Sequence, residues 1–126
     1  MRDLIARLGA TPNLIVYERA ASWELHLSKT EHLTIVVTIP HDTLEWFAIA
    51  RASGREVWTD WADYYATNGE TTESLRAYMA SDIEHFVHTL SRSEVRVTAL
   101  SKPRKHKYLV EWKQHDAWRL ICMSPA

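Results

Sequence analysis

The chain has 126 residues, 46% of them hydrophobic and 25% charged, with a formal net charge of −1. That composition can bury enough apolar surface to offset the ordering entropy of one compact domain, which excludes a disordered chain. Three glycines and four prolines exclude collagen-like and low-complexity classes, and no apolar run is long enough to span a bilayer.

Residues 2–9 carry Leu4, Ile5 and Leu8 at helical spacing before Gly9 and Pro12, which predicts a short amphipathic helix. Leu14–Glu18 is rich in β-formers and reads as a first strand. Trp23–Leu27 alternates, with Trp23, Leu25 and Leu27 on one face. Leu33–Ile39 alternates in the same way and stops at Pro40, which cannot donate to a ladder. Leu44–Arg51 is apolar on both faces, as in a central strand. Ala52–Arg55 is a turn around Gly54, and Glu56–Trp61 returns as the second arm of a hairpin.

Residues 72–90 predict the one long helix. Leu75, Met79, Ile83, Phe86, Val87 and Leu90 form a single stripe, with Thr71 or Thr72 as N-cap. Three further strands follow at Glu94–Ala99, Lys107–Lys113 and Ala117–Met123, the last two joined by a reversal at Gln114–Asp116. The basic run Lys102–Lys107 reads as a solvated loop, without the interleaved aromatics that stack bases. Short connections favour antiparallel neighbours. The expectation is one α+β domain over 1–126: a curved, mainly antiparallel sheet with the long helix on one face and a short N-terminal helix.

Charge is segregated along the chain. Residues 42–84 hold nine acidic and three basic residues, a net of −6, whereas residues 85–126 hold three acidic and eight basic residues, a net of +5. Such a distribution can be internal complementarity, or an acidic face that steers a basic partner.

Catalytic signatures are sparse. Three separated glycines exclude phosphate-binding and dinucleotide loops, and no nucleophile elbow is present. Cys122, the single cysteine, sits in an apolar strand context and reads as a buried structural thiol; with the N-terminal segment lacking a signal-peptide core, it suggests a reducing, cytoplasmic setting. His85 and His88 share a helix turn, but no second motif completes a metal site, so neither a metal nor another cofactor is expected. Asp60 and Asp63 flank Trp61. A carboxyl against an aromatic wall can act as acid or base, and the same residues can equally serve a turn.

The aromatic load of 44–65 stands out: six of the chain's thirteen aromatics fall there. Strand geometry sends Trp58 and Trp61 to opposite faces, unless the chain curls into a helical turn near Trp61. Aromatics interleaved with acids suit a recognition surface for a basic partner.

The pattern Leu44-Glu45-Trp46-Phe47, a Gly-containing turn, then Glu56 through Tyr65 resembles the central hairpin of small immunity proteins of bacterial polymorphic or secreted antibacterial toxin systems. The resemblance covers residues 44–90 and rests on aromatic-acidic texture. It implies a non-enzymatic, cytoplasmic protein that binds a cognate toxin and blocks its active site. Separately from the resemblance, the acidic and aromatic texture suits a toxin with a basic active-site cleft, no nucleic acid or membrane is expected as direct partner, and the chain is expected to be a monomer or weak homodimer. The residues expected to carry binding are Trp58, Asp60, Trp61, Asp63, Tyr64, Tyr65, Glu70 and Glu73. The competing expectation is a small-molecule or enzymatic domain with an aromatic-lined cavity between helix and sheet, using Asp60 or Asp63.

Overall fold

The computed structural model describes residues 1–102 and 105–123. In chain order the elements are α1 (Arg2–Leu8), β1 (Leu14–Glu18), β2 (Ser22–Ser28), β3 (Leu33–Pro40), β4 (Glu45–Ala52), β5 (Arg55–Asp63), α2 (Thr72–Arg92), β6 (Val95–Lys102), β7 (Lys105–Gln114) and β8 (Ala117–Leu120). The α+β class and the two helices are as expected. The strands divide into two antiparallel sheets, a five-stranded meander β1-β2-β3-β4-β5 and a three-stranded meander β6-β7-β8. The basic run expected as a loop is mostly strand: β6 extends through Lys102 and β7 starts at Lys105, while Pro103 and Arg104 lie outside the described residues.

One core joins both sheets to the long helix. Trp23, Leu25, Leu27, Leu33, Ile35, Val37, Ile39, Trp46, Ala48 and Ala50 form the inward face of the large sheet. The α2 stripe of Met79, Ile83, Phe86, Val87 and Leu90 packs into the same cluster, with Val110, Ile121 and Met123 from the second sheet side. Trp46 is fully buried and meets Phe86 edge-on, ring centroids 5.2 Å apart.

Local chemistry sets the helix ends. Thr71 is the N-cap: its hydroxyl accepts from the Ser74 N–H at 3.1 Å. At the other end Lys29 reaches across from the β2–β3 turn, and its ammonium donates to the carbonyl oxygens of Leu90 and Ser91, the groups that the helix itself leaves unpaired. Burial there holds the Lys29 pKa below its ordinary value. α1 is fixed to α2 by the Arg7–Glu84 ion pair at 3.0 Å.

The β4–β5 hairpin decides which side chains face outward. Its two-residue turn, Ser53-Gly54, has φ of 52° and 78°, the positive values that match the twist of the flanking strands. Pairing begins as Ala52 with Arg55 and Arg51 with Glu56, then slips by one residue, so that Ala50 faces Trp58 and Phe47 faces Trp61. The bulge leaves Val57 as the extra residue and inverts the alternation beyond it. Trp58 therefore packs toward the core beside buried Ala50, and Trp61 stands on the opposite face. The strand runs on to Asp63, so no helical turn forms near Trp61.

Candidate partner-binding face

The large sheet has helices on its inward side only, and its other face is open. The register lays out two cross-strand rows on that open face. One runs Tyr17, Glu24, Thr38, Phe47, Trp61; the next runs Ile15, His26, Val36, Ile49, Thr59. Ile15 and Trp61, at opposite edges, are 57% and 51% exposed. Between Thr38, Phe47, Ile49, Thr59 and Trp61 lies a shallow depression of about 510 Å³.

Carboxylates fringe this surface at the β5 edge. Glu45 pairs with Asp63 in the ladder, so the two acids stand side by side on the open face. The Trp61 indole N–H donates to Glu45 Oε2 at 3.1 Å, and the Thr43 hydroxyl donates to Glu45 Oε1 at 3.2 Å. Among the described residues, the only one of the nine acids in 42–84 to form an ion pair is Glu84. The segregated charge is thus not cancelled within the described part of the molecule. Further along the face, Glu24 has local partners: His26 Nε2 lies 3.0 Å and Arg19 Nε 3.6 Å from it, and these contacts hold its pKa below the usual carboxylate value.

The eight residues expected from the sequence divide into two groups. Trp61, Asp63, Tyr65 and Glu73 are exposed; Tyr65 is the most open, at 70%. Trp61 and Asp63 share the open face, and Tyr65 follows two residues beyond. Glu73 belongs to the first turn of α2, in the helix layer on the other side of the sheet. The other four are engaged within the fold. Trp58 is half-buried against the core. Asp60, opposite Ala48 on the inward side, accepts from the Met123 N–H at 3.1 Å and the Trp61 N–H at 2.8 Å, which anchors the segment after β8. Tyr64 accepts from the buried Trp46 indole at 3.0 Å and donates to Asp82 at 2.7 Å. Burial, with Asp82 adding to it, raises the Tyr64 pKa well above the ordinary phenol value. Glu70 accepts from the N–H groups of Asn68 (2.7 Å) and Thr67 (2.9 Å), which lower its pKa and brace the turn before α2.

Glu45 is the member of the face that the sequence did not single out. Its position opposite Asp63 depends on the bulge at Val57, which no residue between 44 and 63 announces. Phe47 and Ile49, expected on a central strand apolar on both faces, are half-buried because only one face of β4 is covered.

The space between α2 and the large sheet is filled by Trp46, Met79, Ile83 and Phe86. Asp60 is spent on backbone N–H groups and Asp63 lies on the surface. Cys122, expected to be buried, is exposed, because buried Ile121 and Met123 on either side turn it outward. His85 is exposed and His88 half-buried, and among the described residues no group of three or more His, Cys, Asp or Glu side chains is arranged to hold a metal ion. No described helix is long and apolar enough to cross a membrane. Comparison of the chain with protein-family models, curated proteins and solved structures finds no match.

Proposed function

We propose that the protein is an immunity protein that binds a cognate bacterial toxin through the open face of its large sheet and occludes the toxin's basic active-site cleft. The observation that carries this reading is the half-exposed Trp61 indole flanked by Glu45 and Asp63, two carboxylates without an ion-pair partner among the described residues. An exposed indole beside a row of half-buried apolar side chains offers a hot-spot anchor at low entropy cost. Unneutralised carboxylates around it speed encounter with a cationic surface. The resemblance of residues 44–90 to immunity proteins supplies the toxin as partner class. Binding by steric occlusion needs no catalytic constellation in this chain.

The test is co-expression with the protein encoded by the adjacent reading frame. The expected result is a stable complex and protection of cells from that protein's toxicity, with both lost for Trp61→Ala combined with Asp63→Lys. Protection by the folded double variant would remove the face from the reading, and absence of both complex and protection with the unaltered chain would remove the reading itself.

A further inference from the structure

The second sheet carries a site independent of the Trp61 face. A cleft of about 760 Å³ lies between α2 and the segment from β8 to Met123. Its floor is apolar, made by Phe86, Leu90, Trp112, Ile121 and Met123. Such a volume suits a short peptide segment or a drug-sized ligand. The backbone along one wall decides between these.

β8 is an edge strand whose outer hydrogen-bonding groups can be assigned from the register. The Lys113 N–H donates to Glu94 O at 2.9 Å, toward the β6 side, and the Ile121 N–H donates to Val110 O at 3.0 Å. Residues 111 and 113 of β7 therefore turn their backbone groups to β6, and residues 110 and 112 turn theirs to β8. Trp118 pairs with Lys113 and Leu120 with Glu111, so the N–H and C=O of Trp118 and Leu120 point away from β7. Leu120 lines the cleft and is 59% exposed. No further strand pairs with β8 among the described residues.

The cleft also has polarity. Asp82 is tied to Tyr64, the residue just after β5, and Met123 is tied to β5 through Asp60, so these two mark one end. Arg119 faces Trp112, whose other neighbour is Val95, just beyond the end of α2; it marks the other end. Arg119 is exposed and has no acidic partner among the described residues. Asp82 already accepts a hydrogen bond from Tyr64.

We propose that this cleft is a strand-addition groove for an extended segment of a partner polypeptide, apolar at alternate positions and carrying a carboxylate beside Arg119. The segment pairs with the outward backbone groups of Trp118 and Leu120, sets every second side chain on the apolar floor, and places its carboxylate on the unpaired guanidinium. The edge is short, four residues with one arginine, so a pairing segment meets it through the backbone groups of Trp118 and Leu120 alone.

The test uses a short fluorescein-labelled peptide of alternating valine and threonine that closes on glutamate with an amidated C-terminus, with fluorescence anisotropy as readout. Saturable binding is expected, roughly tenfold weaker when glutamine replaces the glutamate, the scale of one charge-assisted hydrogen-bonded pair. Arg119→Met should abolish that tenfold preference. Leu120→Pro removes an outward donor while leaving the β7 ladder intact, and should abolish binding of both peptides. Equal affinity for Leu120→Pro, or no saturable binding to the unaltered chain, overturns the proposal. If Leu120→Pro does not fold, amide exchange decides: the peptide must protect the Trp118 and Leu120 N–H groups of the unaltered chain, and unchanged exchange there overturns it.

Discussion

Trp61 donates its indole N–H to Glu45 across the hairpin at 3.1 Å, with Asp63 next to Glu45 on the same face. The hydrogen bond fixes the indole over the sheet edge without burying it. An anchor already held in one rotamer loses less entropy on binding. If the open face is the proposed toxin contact, Trp61→Ala should weaken that binding by about 2 kcal/mol or more, roughly 30-fold, as hot-spot truncations do. Thermal unfolding should move little, because the ring is half-exposed. Calorimetric titration beside a melting curve separates the two effects.

The acids should act on rate more than on lifetime. Glu45→Lys with Asp63→Lys is expected to slow association and flatten its dependence on ionic strength, with a smaller change in dissociation. Asp60→Asn is the contrasting variant. Its carboxylate holds the Met123 and Trp61 N–H groups, so the expected loss is in stability. Stopped-flow association at two salt concentrations checks both.

Tyr64 joins layers rather than partners. Its hydroxyl satisfies the indole N–H of the fully buried Trp46 and donates to Asp82 on α2. Tyr64→Phe leaves that N–H unpaired inside the protein, at a cost of about 1–3 kcal/mol. Urea unfolding should report this loss while affinity for the proposed toxin partner stays unchanged.

The pH dependence of stability carries a signature of Glu24. The His26 contact, with Arg19, lowers its folded-state pKa below the ordinary value of 4.5. A carboxylate with a depressed folded pKa stabilises the fold above its unfolded pKa and loses that contribution as pH falls through the folded value. The stability gap between the unaltered chain and Glu24→Gln should therefore be present at neutral pH and shrink as the pH falls below the ordinary carboxylate value of 4.5. Unfolding curves across that range test it; a gap that persists in acid would contradict it.

The turn that builds the face is open to improvement. Ser53 holds φ 52° and Gly54 holds φ 78°. Gly54→Ala should cost on the order of 1 kcal/mol, because an alanine pays for the left-handed region although nothing lies within 4 Å of its Cβ. Ser53→Asn should stabilise by a few tenths of a kcal/mol, since Asn-Gly favours both positive φ values. Thermal melts of the two variants should shift in opposite directions.

Elements with strong period were legible in the residues: β2 and β3 from alternation, α2 from its six-residue stripe, and the hairpin turn from Gly54. What decided the site was not. The slip at Val57 swaps the faces of Trp58 and Trp61, and a one-residue bulge leaves no mark on a β-rich run. The role of Asp60 depends on Met123, 63 residues away, and that of Tyr64 on Trp46 and Asp82. Asp60, Tyr64 and Glu70 looked like parts of a surface because composition reports acids and aromatics, not the partners that occupy them. The separation into two sheets was hidden for a related reason: α2 interrupts the meander, and no local signal tells whether β6 rejoins the first sheet.

The most direct test is the affinity of the adjacent-frame protein for the unaltered chain and for Trp61→Ala with Asp63→Lys, measured by surface plasmon resonance on samples with matched melting temperatures. A fall of two orders of magnitude or more is the result expected if the open sheet face is the toxin contact. Equal affinity of the two proteins would contradict it.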